Sequence, residues 1–96
     1  MGQNRERRRP GSSQPFSTML NQTLITEFGK RIRQLRTERK LSQEELSFQT
    51  GFHRTYIGMI ERGERNISLS NIGVFAATFE LSVSELFDFN TKRGER

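Results

Sequence analysis

The sequence predicts an all-α domain, a compact bundle of five short helices. Three observations carry this. Apolar residues recur three or four apart in successive segments between 23 and 90. Serines stand where helix caps belong, at 42, 68 and 82. No segment alternates apolar and polar residues as a half-buried strand would.

The first helix is expected from Thr23 to about Arg39, with Leu24, Phe28, Ile32 and Leu35 as its buried stripe. Ser42-Gln43-Glu44-Glu45 has the spacing of a capping box and opens the second helix, whose Leu46 faces inward. That helix stops before Gly51, a residue that takes left-handed backbone without strain. A third helix follows Gly51 and Phe52 at once, with His53 or a neighbour as its cap, and ends at Gly63. Residues 64–67 form a loop. Ser68 caps a fourth helix with Leu69, Ile72, Phe75, Ala76 and Phe79 on its inner face. Ser82 to Glu85 is a second capping box, opening a short fifth helix with Val83, Leu86 and Phe87.

Residues 1–21 are rich in Arg, Gly, Ser, Gln and Pro and read as a flexible basic arm. Its Phe16, Met19 and Leu20 leave two courses open, docking on the domain or extending the first helix. Residues 22–90 form the folded unit and 91–96 a tail.

The chain has 96 residues, no cysteine and one histidine. Disulfides and thiolate metal sites are therefore excluded, and no metal or other cofactor is expected. No run approaches the ~20 apolar residues of a membrane span, and no secretory signal opens the chain. The expected location is the cytoplasm. No nucleophile and base pair, metal cluster or phosphate loop stands out, so the chain is not expected to be an enzyme and no catalytic residue is assigned. No small-molecule ligand is expected either.

The net charge of +5 points to an anionic partner, but the tails carry it. Residues 23–90 hold nine basic and nine acidic side chains. Within them the charge is uneven: residues 30–40 are strongly basic and residues 80–90 acidic. A solvated helix face explains the basic run as well as a nucleic-acid surface does.

Two helices joined by a short turn containing glycine make a helix-turn-helix, the unit that lays its second helix in the DNA major groove. Residues 43–62 fit it: Gln43 opens one helix, small Ser47 sits at the crossing, Gly51 turns the chain, and Ile57 and Ile60 anchor the other helix. Through "GKRIRQLRTERKLSQEEL", "TGFHRTYIGMIERGERNISL" and "FELSVSELF", residues 28–87 resemble the Xre-type helix-turn-helix family. Cro, the phage repressors and the controller proteins of restriction–modification systems belong to that family. The resemblance implies a lambda-repressor-like fold, a sequence-specific DNA-binding regulator, and an ion pair between Arg36 and Glu61. The sequence departs from the family pattern at Ile67, where proline is usual, and at Gly58, where serine is frequent.

On the third helix, Arg54, Thr55, Gly58 and Met59 are the expected base-reading set. An arginine fork matches guanine O6 and N7, and threonine can hydrogen-bond a base edge or a phosphate. Met59 suits a thymine methyl or a gap in the core. Gly58 either brings the helix axis close to the bases and frees Arg54 to swing, or is drift at an exposed position. Gln43, His53, Tyr56, Arg62, Arg65, Asn66 and Ser68 are the expected backbone contacts. Of these, Tyr56 equally suits partial burial and His53 a solvent-facing cap. Arg31 and Arg33 are expected in solvent.

One such module covers about half an operator, so a homodimer on a roughly palindromic site is expected. Leu81, Val83, Leu86, Phe87 and Phe89 are the expected interface. The arm could follow phosphates or the minor groove, or simply solubilise. The second function class is a DNA-binding antitoxin that also holds a protein partner. The arm's few apolar anchors count against it. Controller protein or phage-type repressor, acting on double-stranded DNA, is the leading expectation.

Overall fold

A computed structural model describes residues 14–90, with side chains from residue 21 onward. The first 13 residues of the basic arm and the tail at 91–96 lie outside the described residues. Five helices follow in order: α1 (Gln14–Glu38), α2 (Gln43–Thr50), α3 (Arg54–Glu61), α4 (Leu69–Phe79) and α5 (Val83–Leu86). The described residues contain no strand.

Helix α1 begins at Gln14 rather than at the expected Thr23. Of the two courses open to residues 16–20, the backbone takes the helical extension. Pro15 falls in the first turn, where its missing N–H breaks no helical hydrogen bond.

Three of the other four helix starts, those of α2, α4 and α5, follow from serines. Ser42 Oγ accepts from the Glu45 N–H at 2.9 Å, and Glu45 Oε1 accepts from the Ser42 N–H at 2.7 Å. Ser82 and Glu85 repeat the arrangement at 3.0 and 2.8 Å. Such caps contribute about 1 kcal/mol each. Gly51 closes α2 at φ 82°, its N–H reaching Ser47 O. Ser47 Oγ donates to Phe52 O, and Thr50 Oγ1 accepts from the Phe52 N–H, so the turn into α3 is held from both sides.

The core gathers Phe28, Ile32 and Leu35 from α1, Leu46 from α2, Ile57 and Ile60 from α3, Phe75, Ala76 and Phe79 from α4, and Leu86 from α5. Each large side chain fully withdrawn from water contributes about 1.5–3 kcal/mol. Helices α1 and α3 pack closely at Gly29, where a Cβ would collide with the Ile60 carbonyl oxygen. That crossing aims α3.

Four expectations are corrected. Leu24 is half exposed, and Leu69 in the entry turn of α4 is 79% exposed. Both continue a helical period past the edge of the bundle, where no helix remains to pack against. Arg31, expected in solvent, is only 5% exposed. Its Nε donates to Leu86 O at 3.0 Å and its Nη2 to Glu85 O at 2.7 Å. The guanidinium thus sits at the C-terminal end of α5 and adds a charged donor to two of its last carbonyls. Leu86, expected at a dimer interface, is fully buried in the core of its own chain.

Half of the basic run at 30–40 is therefore structural. Arg36 binds Glu61, and Arg39 lies over the Phe79 ring at 5.0 Å while donating to Phe79 O. Arg33 is exposed, as expected.

Candidate nucleic-acid interface

Helix α3 is short, and its orientation rests on two attachments. Ile57 and Ile60 enter the core on one side. At its C-terminal end Glu61 receives Arg36 Nε at 2.7 Å and Nη2 at 2.9 Å, as the resemblance implied. Arg36 Nη1 also donates to Leu41 O at 2.9 Å, tying in the connection between α1 and α2. The hydrogen bonds to Glu61 raise the already high pKa of Arg36, so the cation persists at any ordinary pH. Gln43 Nε2 donates to Glu61 Oε1 at 3.1 Å, bringing the first residue of α2 against the side of α3.

With that face fixed, the first turn of α3 points outward. Arg54 and Thr55 are exposed, and His53 is an exposed N-cap whose side chain makes no capping hydrogen bond. Met59 is half-buried, which suits its alternative as a gap filler. Gly58 is not an exposed position: it is buried beneath Gln43 and Arg62. The drift reading therefore fails on its premise.

A second cluster adjoins α3. The Tyr56 ring meets Phe52 edge-on at 5.2 Å, and its hydroxyl accepts from Asn71 Nδ2 at 2.9 Å. Tyr56 is thus half-buried, with its O–H still able to donate outward. Arg65 lies over the same ring at 5.5 Å. Ser68 Oγ caps α4 by accepting from the Asn71 N–H at 3.1 Å, which also leaves its O–H to donate. Asn66 is exposed in the loop between Arg65 and Ser68.

Arg62 is exposed and paired with Glu64, Nε and Nη2 donating to the two carboxylate oxygens at 3.0 and 3.2 Å. Chiefly through these hydrogen bonds, Arg62 holds the Glu64 carboxyl below the usual carboxylate range, and its own pKa is raised.

The expected base-reading and backbone residues thus lie on α3 and on its two flanks, the start of α2 and the loop before α4. Two participants escaped the sequence: Asn71, which holds Tyr56, and Glu64, which holds Arg62. A carboxylate two residues after an arginine was the available signal for Glu64. Nothing marked Asn71. Leu81, Phe87 and Phe89 are half-buried against the core and Val83 is exposed, a surface apart from α3 in the sequence.

A helix-turn-helix held this firmly, with arginine and threonine displayed on the second helix, defines a class of DNA-binding regulators rather than enzymes. The chain belongs to the helix-turn-helix family of the Cro and phage-repressor type, whose sequence profile matches residues 32–86. Among curated proteins it is 45% identical over 65 residues to the control protein C.BamHI of Bacillus amyloliquefaciens, covering 67% of this chain and 80% of that one. Among solved structures it resembles the restriction-modification controller protein C.AhdI from Aeromonas hydrophila. That match has TM-score 0.62 and 47% identity, over 65% of this chain and 94% of the other. It also matches the controller protein C.Esp1396I, solved as a tetramer in complex with its natural 35 base-pair operator. Here the TM-score is 0.65 and the identity 27%, over 76% and 96% of the two chains. Among the described residues no helix is long and apolar enough to cross a membrane.

Proposed function

We propose that this chain is a sequence-specific transcriptional regulator that binds a roughly palindromic double-stranded operator as a homodimer, in the manner of a restriction–modification controller protein. Its place of action is the cytoplasm, on the nucleoid when bound. The observation that carries the reading is the division of α3. Ile57, Ile60 and Glu61 bind the helix to the domain, and Arg54 and Thr55 remain exposed on its first turn.

In a purely structural helix an exposed Arg-Thr pair has no task. Facing a major groove, the Arg54 fork matches guanine O6 and N7, and Thr55 matches a base edge or phosphate. Tyr56 on α3, and Gln43, Arg65, Asn66 and Ser68 on its flanks, carry donors suited to phosphates, contacts that set register rather than sequence preference. The relative solved on its operator supports both the DNA and the assembly of copies upon it.

Self-association is assigned to Leu81, Val83, Phe87 and Phe89, without the buried Leu86. Two copies would place their recognition helices in successive major grooves about 34 Å apart.

Random-site selection with the purified protein, followed by binding of Arg54→Ala to selected and scrambled DNA, tests the reading. A discrimination ratio falling by a factor on the order of ten or more is expected. An Arg54→Ala protein with the parent's ratio would remove Arg54 as a base reader.

A further inference from the structure

Gly58 lies mid-way along α3 and is buried although it has no side chain of its own. Two polar side chains cover it. A Cβ built there would stand 3.1 Å from Arg62 Nη1, 3.6 Å from Gln43 Oε1 and 3.9 Å from Gln43 Nε2. Residues four apart on a helix are neighbours, so the guanidinium of Arg62 occupies the place a side chain at 58 would need.

Gln43 lies beside the same spot, held from α2 through its Nε2 on Glu61. Glu64 takes Arg62 Nε and Nη2. One edge of the planar group is thereby used, and Nη1 on the Gly58 side has no hydrogen-bond acceptor among the described residues. A guanidinium fixed along one edge and open along another is prepared for two adjacent acceptor atoms. DNA offers such a pair as phosphate oxygens or as guanine O6 and N7.

We propose that Arg62 contacts DNA from a seat provided by Gly58, beside Gln43, and that Gly58 is the positioning residue for this contact. The inference rests on the DNA-binding reading above and gives the glycine a task distinct from close approach of the helix backbone to the bases. It also has an unusual signature. A methyl group at 58 would meet only the far ends of two flexible side chains, which can move aside. Alanine is also the better helix former. Gly58→Ala is therefore expected to leave the fold at least as stable while weakening operator binding.

The test is a double-mutant cycle in the full chain, using the operator obtained by random-site selection. Gly58→Ala and Arg62→Ala are each expected to bind about tenfold more weakly, the scale of one charge-assisted contact. The double variant should bind no more weakly than Arg62→Ala alone. Thermal melting of Gly58→Ala should occur at or above the parent temperature. If Gly58→Ala costs the same factor in the Arg62→Ala background, the glycine acts without Arg62 and the proposal is overturned. Parental affinity in either single variant, or a lower melting temperature for Gly58→Ala, overturns it too.

Two further readouts identify the acceptor in a positive result. A salt slope reduced by about 1 in Arg62→Ala marks a phosphate. Relaxed selection at one guanine marks a base. A parent protein that enriches no sequence at all would refute the DNA-binding reading itself, whereas an operator-binding parent with unresponsive variants refutes this inference alone.

Discussion

Arg36 and Glu61 form a two-pronged ion pair between α1 and α3, with side chains only 12% and 4% exposed. The same carboxylate receives Gln43, so one acidic side chain joins α1, α2 and α3. Removing either partner strands a charge inside the protein. Arg36→Ala or Glu61→Ala should therefore cost about 3 kcal/mol, measured by urea unfolding. Replacing exposed Arg54 by alanine should change stability by less than about 0.5 kcal/mol. Equal losses at Arg36 and Arg54 would contradict this division of roles.

Arg31 is the only attachment of its kind at the end of α5 among the described residues, its guanidinium holding the Glu85 and Leu86 carbonyls. Arg31→Ala would remove the charged donor from both carbonyls and leave Glu85 O only its backbone donor. A loss of about 2 kcal/mol is expected, since hydrogen bonds from a charged donor contribute about 1.5–3 kcal/mol. Hydrogen exchange should accelerate first in the amides of 83–88. Protection unchanged there would show that packing alone holds α5.

Val83 is 47% exposed and Leu86 fully buried, and the two should respond in opposite ways. Val83→Lys should fold normally and shift the sedimenting species toward the monomer. Leu86→Ala should cost about 3–5 kcal/mol through the cavity it leaves. A Val83→Lys protein that sediments with the parent's mass would move the proposed interface away from α5.

Glu64 should titrate below the usual carboxylate range, because Arg62 donates two hydrogen bonds to its ionised form. A carboxyl whose pKa is lower folded than unfolded stabilises the fold above the unfolded value, and the contribution disappears as pH falls through the folded one. Both side chains are more than half exposed, so the effect on stability is small and the titration itself is the better readout. Side-chain NMR should give Glu64 a midpoint that rises toward the ordinary range in Arg62→Ala. A midpoint unmoved by that substitution would mean the pair is not formed in solution.

The helix-turn-helix was legible because its signals are local. Capping boxes at Ser42 and Ser82, the cap at Ser68 and the turn glycine at Gly51 act within a few residues, and each appears where the sequence put it. The anchoring of α3 by Ile57 and Ile60 follows from spacing alone. Periodicity misled at Leu24 and Leu69, because a repeating pattern does not reveal where the neighbouring helices end.

Side-chain destinations across the fold were less accessible. Arg31, Arg33 and Arg36 lie on one basic helix, yet Arg31 is buried at the end of α5, Arg36 grips Glu61 and only Arg33 remains in solvent. The sequence by itself determined the helices, their order, their caps and the helix that displays Arg54 and Thr55, since those depend on interactions a few residues long. Tertiary structure alone decided that Arg31 is a latch, that Leu86 is core, and that Gly58 lies under Gln43 and Arg62. Those outcomes depend on which surfaces the packed helices bring within a few ångströms, and that distance is not written in the spacing of residues along the chain.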